Sequence, residues 1–141
     1  MFIDLERFKN VNDTAGHAAG DALLRDIARA LVDAVRKSDT VARLGGDEFA
    51  VFLSECPLMH GRLIAEKLRQ AVVDYRLEWE SHSFSVGASV GLVRVDATFT
   101  TAQAVLAAAD AACYAAKHKG RNCVVVHGDD LPAMDIGETT A

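Results

Sequence analysis

Two adjacent carboxylates, Asp47 and Glu48, follow a glycine pair, Gly45-Gly46, that separates two short apolar runs. The runs Thr40-Val41-Ala42 and Phe49-Ala50-Val51-Phe52-Leu53 have strand character. Joined by two glycines they predict a β-hairpin, because glycine reaches the positive-φ turn conformations without steric cost. The turn lifts both acids to the hairpin tip, and glycines without a Cβ let a ligand come close to the backbone there. A hard cation such as Mg2+ takes carboxylate oxygens and bridges them to phosphates, so the tip reads as part of a metal site. Asp4 ends an apolar run, Phe2-Ile3, with Glu6 two residues on and on the same side. A carboxylate at a strand end and another on a hairpin tip can clamp one cation from two directions. The same acids suit equally well an exposed hairpin that they merely keep in water.

The elements that must hold these groups follow from periodicity. Residues 6–13 read as a short helix with Phe8 and Val11 on one side, followed by a glycine-punctuated loop, Thr14 to Gly20. Leu24, Ile27, Ala28, Leu31 and Val35 predict a helix from Asp21 to Val35, with Asp21 in the N-cap position. Leu58 to Tyr75 forms another, burying Ile64, Ala65, Leu68, Val72 and Tyr75. Phe84, Val86, Ala88, Val90 and Leu92 alternate as one half-covered strand, with which Leu77 to Glu80 pairs. Thr100 and Gln103 have capping-box spacing at the head of an alanine-rich helix that stops at Gly120, and Cys123 to Val126 is a last strand. The order β-α-α-β-β-α-β-α-β with a central hairpin predicts an α+β fold, a mixed sheet with helices packed around it. Residues 1–127 read as one domain and 128–141 as a tail or linker.

Composition narrows the partners. The 141 residues suit one domain with a real core, and 50% hydrophobic with 25% charged residues is ordinary for a soluble protein. A net charge of −5 argues against long nucleic acid, which needs a basic face, but not against a single nucleotide. Cys56, Cys113 and Cys123 show no CxxC and read as buried thiols in a reducing compartment. The histidines lack ligand spacing for zinc, and no apolar run approaches the roughly 20 residues of a membrane span. With no signal peptide visible, the cytoplasm is the expected location.

The string Arg43-Leu44-Gly45-Gly46-Asp47-Glu48-Phe49 resembles the signature of the GGDEF family, the diguanylate cyclases. Ile3 to Asp13, Gly16-His17, Gly20-Asp21, Ala109-Asp110, Tyr114 to Lys117 and Gly120-Arg121-Asn122 match its other motifs in order, over residues 2–127. The resemblance implies a ferredoxin-like palm, as in other nucleotide cyclases. It also implies a bacterial second-messenger enzyme that condenses two GTP into cyclic di-GMP and two pyrophosphates, one GTP per protomer of a homodimer. Asp4, the carbonyl of Leu5 and Asp47 would bind Mg2+ (or Mn2+). Glu48 would be the base on the ribose 3′-hydroxyl, and Lys9 would stabilise the transition state. Asn12, His17 and Asp21 would line the guanine site, and Lys117 and Arg121 would meet the triphosphate. Glu6 stands where the family often has a second aspartate, a change expected to matter little. Arg36-Lys37-Ser38-Asp39 is an RxxD at the offset of the family's product-inhibition site, with Lys67 where some relatives place a secondary arginine. The family's opening DxLTxLxNR segment and first helix are not in this sequence, so it reads either as an excerpt of a longer protein, which sensor or EAL domains would flank, or as a chain that folds less stably than its relatives. A non-catalytic module sensing GTP or cyclic di-GMP is the alternative, and Asp21 argues against an adenylyl cyclase.

Overall fold

The structure, a computed structural model, describes residues 1–128. Along the chain run β1 (Phe2–Glu6), α1 (Phe8–Ala15), α2 (His17–Asp33), β2 (Thr40–Gly45), β3 (Glu48–Phe52), α3 (Leu58–Asp74), β4 (Leu77–Trp79), β5 (His82–Phe84), β6 (Gly87–Leu92), α4 (Ala102–His118) and β7 (Val124–Val126). The main sheet has the order β2-β3-β1-β6-β7, antiparallel except for the parallel β6–β7 pair. Its first four strands, joined in the sequence β1-helices-β2-β3-α3-β6, make the ferredoxin-like palm, and β7 adds a fifth. The fold is thus the α+β arrangement with a mixed sheet that the hairpin required.

Helices cover both faces of the sheet because β6 is small on one side and apolar on the other. Its Gly87, Ser89 and Gly91 face α4, and Ala88, Val90 and Leu92 face the opposite layer. At Gly91 the contact is extreme: an added Cβ would lie 2.3 Å from the Cys113 backbone nitrogen and 2.4 Å from the Ala109 carbonyl oxygen. Leu92 points the other way, toward Gly61 of α3. That second layer holds the main core, where Ile3, Phe49 and Val90 meet Leu23, Ile27 and Leu31 of α2 and Leu68 and Val72 of α3. Each such buried side chain contributes roughly 1.5–3 kcal/mol. The alanine stripe of α4, Ala112 and Ala116 with Val125 beside it, allows the close approach on the other face.

Several boundaries depart from the periodic reading. β1 continues to Glu6, which is paired with Gly87, so α1 starts only at Phe8. α2 begins at His17 instead of Asp21, so Asp21 lies inside the helix and is not its N-cap. The expected loop shrinks to Gly16 at φ 91°. Gly20, which looked like a loop marker, is helical, and a Cβ there would sit 1.9 Å from Asn12 Oδ1. Packing of α1 on α2, not a turn, accounts for that glycine. The expected strand 84–92 is broken: β5 pairs with β4 in a separate two-stranded sheet, and β6 is buried on both faces instead of half-covered. Thr101, not Thr100, caps α4, accepting from Ala104 N–H at 3.0 Å, and Gln103 is therefore not the reciprocal partner. Gly120 follows the helix at φ 123°, as a C′ glycine does. The three thiols are free, but only Cys113 is fully buried. No helix among the described residues is long and apolar enough to cross a membrane. The tail reading falls on 129–141, outside the described residues.

Candidate active site

Antiparallel register sets the site. In β1, Asp4 lies opposite Glu48 of β3 on one side and Ser89 of β6 on the other, so these side chains share the α4 face. Asp4 and Glu6, two residues apart, occupy that face in series. The hairpin tip bends over the end of β1, and the Leu5 N–H donates to the Asp47 carbonyl at 3.0 Å. The carboxyl groups of Asp4 and Asp47 come close enough to interact. The Asp47 carboxyl is raised above its ordinary value, first by burial and then by the negative charge of Asp4, with Lys117 opposing. Gly46, at φ 52°, makes the tight turn, and Arg43 Nε pins it by donating to the Gly46 carbonyl at 3.0 Å.

Cations from α4 and the turn after it meet these acids. Lys117 Nζ forms an ion pair with Asp4 Oδ2, with the Asp4 side chain only 12% exposed. Arg121 Nη1 pairs with Glu6 Oε1 at 2.7 Å. The turn that aims Arg121 has Gly120, Arg121 and Asn122 all at positive φ, and the Arg121 N–H reaches back to the Ala116 carbonyl at 3.0 Å. This is the C″-to-C3 bond of a Schellman-type helix end. Glu48 is exposed and lines, with Asp4, Lys117, Asp110 and Tyr114, a shallow cavity of about 330 Å³. A larger groove of about 680 Å³ lies elsewhere, among mostly apolar side chains such as Phe52, Leu92 and Leu106, away from the paired acids.

The donor set fits a hard divalent cation. Two adjoining carboxylates suit an ion that completes its shell with phosphate oxygens and water, and no cluster of three or more His, Cys, Asp or Glu exists among the described residues to form an all-protein cage. Glu6 does not join the pair. It is buried, its Oε2 accepts from the Ser89 hydroxyl and its Oε1 holds Arg121. Cys113 is no nucleophile: burial pushes its thiol up to about 12, and it donates to the Ser89 carbonyl at 3.3 Å.

Among the described residues, no hydrogen bond or ion pair joins the other sequence-selected residues to this cluster. Asn12 on α1 faces Gly20 of α2, with its Oδ1 buried and unpartnered among the described residues. His17 and Asp21 lie one turn apart on α2, exposed, and Lys9 is exposed on α1. Arg7, the N-cap of α1, gives the first turn no side-chain acceptor. Arg36 and Asp39 close a staple: Arg36 Nη2 donates to Asp39 Oδ1 at 3.0 Å and to the Ser54 carbonyl at 2.5 Å, and the Ser54 N–H donates to Asp39 Oδ1 at 3.0 Å. Arg36 holds the Asp39 carboxyl down at about 2. Lys67 is exposed on α3.

Sequence reasoning missed Ser89, which is fully buried and receives the Asn122 N–H at 3.2 Å. It also missed Asn122 as a tie, whose Oδ1 accepts from Ala88 N–H at 3.2 Å and from Arg69 Nη1 at 3.3 Å. The run of small residues Gly87, Ser89 and Gly91 was the available signal for the first, and the Gly120-Arg121-Asn122 motif for the second.

Comparison with known proteins identifies the family. The family described as "Diguanylate cyclase, GGDEF domain" matches residues 1–123. Probable diguanylate cyclase DgcE of Escherichia coli is 50% identical over 127 residues, 90% of this chain and 12% of that protein. The bifunctional diguanylate cyclase/cyclic di-GMP phosphodiesterase MucR of Pseudomonas aeruginosa is 38% identical over 123 residues, 86% of this chain and 18% of that protein. The chain thus spans less than a fifth of either relative. Among solved structures, the GGDEF domain of DgcB from Caulobacter crescentus, in complex with c-di-GMP, superposes with a TM-score of 0.82 at 29% identity, covering 89% of this chain and 75% of that one. Palm, paired acids and ordered motifs converge on one conclusion: the chain belongs to the GGDEF, or diguanylate cyclase, domain family.

Proposed function

We propose that this chain, in the bacterial cytoplasm, condenses two GTP molecules into cyclic di-GMP and two pyrophosphates, each protomer of a homodimer presenting one GTP. The observation that carries the reading is the meeting of Asp4 and Asp47, distant in sequence, beside Lys117 and on the face that Glu48 shares. Asp4, the Leu5 carbonyl and Asp47 would hold Mg2+ (or Mn2+), which when bound neutralises charge on the phosphates. Glu48, exposed at the cavity, takes the proton of the ribose 3′-hydroxyl as that oxygen bonds to the α-phosphorus of the facing nucleotide and the bond to pyrophosphate breaks. Lys9 counters charge in the transition state, and Lys117 and Arg121 hold the triphosphate, Arg121 as a fork and Lys117 as a point charge. Asn12, His17 and Asp21 form the guanine pocket. The Asp21 carboxylate would accept from guanine's N1–H and exocyclic amine, and the Asn12 amide would add a donor and an acceptor. One half-site holds one nucleotide, so the reaction needs two copies. MucR, named for a cyclase and a phosphodiesterase activity in one protein, supports a phosphodiesterase domain as company for this chain in a longer protein.

The test is the chain fused to a dimerising coil, incubated with GTP and Mg2+, with cyclic di-GMP read by chromatography. Turnover is expected, with a fall of about 10²-fold or more in Glu48→Ala, the range of a general base. Tight GTP binding without product would make the chain a nucleotide sensor instead, and equal competition by ATP would refute the guanine pocket. Product inhibition would act at Arg36, Asp39 and Lys67. Arg36→Ala should relieve it while the initial rate is kept, and unchanged inhibition in that variant excludes the site.

A further inference from the structure

Strand β1 offers two carboxylates on the α4 face, and each engages one cation from the end of α4: Asp4 takes Lys117 and Glu6 takes Arg121. The two pairs are not equivalent. Glu6 is locked on both oxygens, by Arg121 at 2.7 Å and by the fully buried Ser89 hydroxyl. Among the described residues, Lys117 is the one cation paired with Asp4, no hydroxyl holds its other oxygen, and it adjoins the Asp47 carboxyl. Two carboxylates this close repel each other unless a cation lies between or beside them. In the structure that cation belongs to the protein, the ammonium of Lys117, carried on a flexible four-carbon stem in the last turn of α4.

We propose that Lys117 is an internal counter-cation of the divalent-ion site, competing with the metal for Asp4, so that metal entry releases the ammonium to the phosphates. The proposal rests on the metal and triphosphate roles given above and adds their coupling. Metal alone binds weakly because it must displace or crowd the ammonium. Metal with nucleotide binds well, because the displaced ammonium finds phosphate oxygens within its swing. Asp4 thus exchanges one cation for another, and its charge stays compensated at every stage. Arg121 takes no part in the exchange, since Glu6, held by Ser89, keeps its place.

A residue that only touched phosphate would leave the affinity for free metal unchanged on removal. A residue that only supported the fold would weaken every ligand. Competition predicts opposite signs. Mn2+ binding to the full chain without nucleotide, read from the electron paramagnetic resonance signal of free Mn2+, should be about tenfold tighter in Lys117→Met, the worth of one partly screened like-charge contact. Lys117→Arg, which keeps the charge, should stay near wild type, and Lys117→Met should bind GTP more weakly. Asp4→Asn should abolish Mn2+ binding in both the wild-type and Lys117→Met backgrounds. Equal or weaker Mn2+ binding in Lys117→Met, with Asp4→Asn still abolishing it, overturns the exchange alone. Mn2+ binding that Asp4→Asn leaves intact overturns the metal site and the exchange together. A measurement independent of folding in the variant uses the wild-type chain: the Lys117 13Cε resonance should move on Mg2+ addition, and a stationary resonance overturns the exchange.

Discussion

Gly91→Ala is the substitution that most directly tests how α4 is held over the sheet. The new Cβ would stand 2.3 Å from the Cys113 nitrogen and 2.4 Å from the Ala109 carbonyl oxygen, where ordinary contact begins at 3.4 Å. Both atoms are helix backbone and cannot rotate aside, so α4 must withdraw by about 1 Å at that point, in an interior packed as densely as a crystal. Overpacking of this kind costs typically 1–3 kcal/mol, and with rigid backbone on one side we expect about 3 kcal/mol. For a domain of this size that lowers Tm by about 10 °C. Gly61→Ala is the matched control. Its Cβ would meet Leu92 Cδ2 at 3.5 Å, an ordinary contact, and alanine in a helix is better than glycine by about 1 kcal/mol. Circular dichroism melts should therefore show Gly91→Ala well below wild type and Gly61→Ala level or above it. A Gly91→Ala melt within about 2 °C of wild type would refute the helix-on-glycine contact, and with it the basis on which Lys117 is positioned.

Two further outcomes follow from other contacts. The Arg36 hydrogen bond holds the Asp39 carboxyl at about 2, below its ordinary 3.8, so the ionised form is favoured by the fold. Its contribution is complete above 3.8 and is lost as pH falls toward 2. The gap in urea midpoint between wild type and Asp39→Asn should accordingly narrow from pH 6 to pH 2, and a constant gap would dismiss the staple as an electrostatic contributor. Gly20→Ala places a Cβ 1.9 Å from Asn12 Oδ1 and evicts that side chain, while alanine improves α2 by about 1 kcal/mol. Calorimetry should find stability preserved and GTP affinity lowered by at least about tenfold, or about 1.4 kcal/mol. Undiminished affinity would remove Asn12 from the guanine pocket.

Local signals carried the fold a long way. The hairpin was legible because Gly45-Gly46 separates two apolar runs, and α4 because its alanines end at Gly120. Errors arose where a residue's reason is tertiary. Gly20 resembled a breaker, yet it is glycine for the sake of Asn12 across the α1–α2 contact. Alternation ran unbroken through Ser85 and Val86, so nothing local marked the point where β5 leaves one sheet and β6 enters another. The cap of α4 was misplaced by one residue because Thr100 and Thr101 are chemically identical and only geometry chooses between them. Within the site, the residue types came from the ordered motifs, but their pairings did not. Arg121 and Glu6 lie 115 positions apart, and no spacing rule connects them. Ser89 is a single hydroxyl in a strand, and only its burial beside Glu6 gives it meaning.

The irregularity between Arg43 and Gly45, where β2 slips out of step with β3, has a meaning beyond the turn it shapes. β2 is the outermost strand on that flank, and its last four residues are exposed. A flat rim of free amides and carbonyls there would invite a neighbouring molecule to zip on as a sixth strand and grow toward a fibre. The slip increases the local twist and spoils the repeat such a neighbour needs.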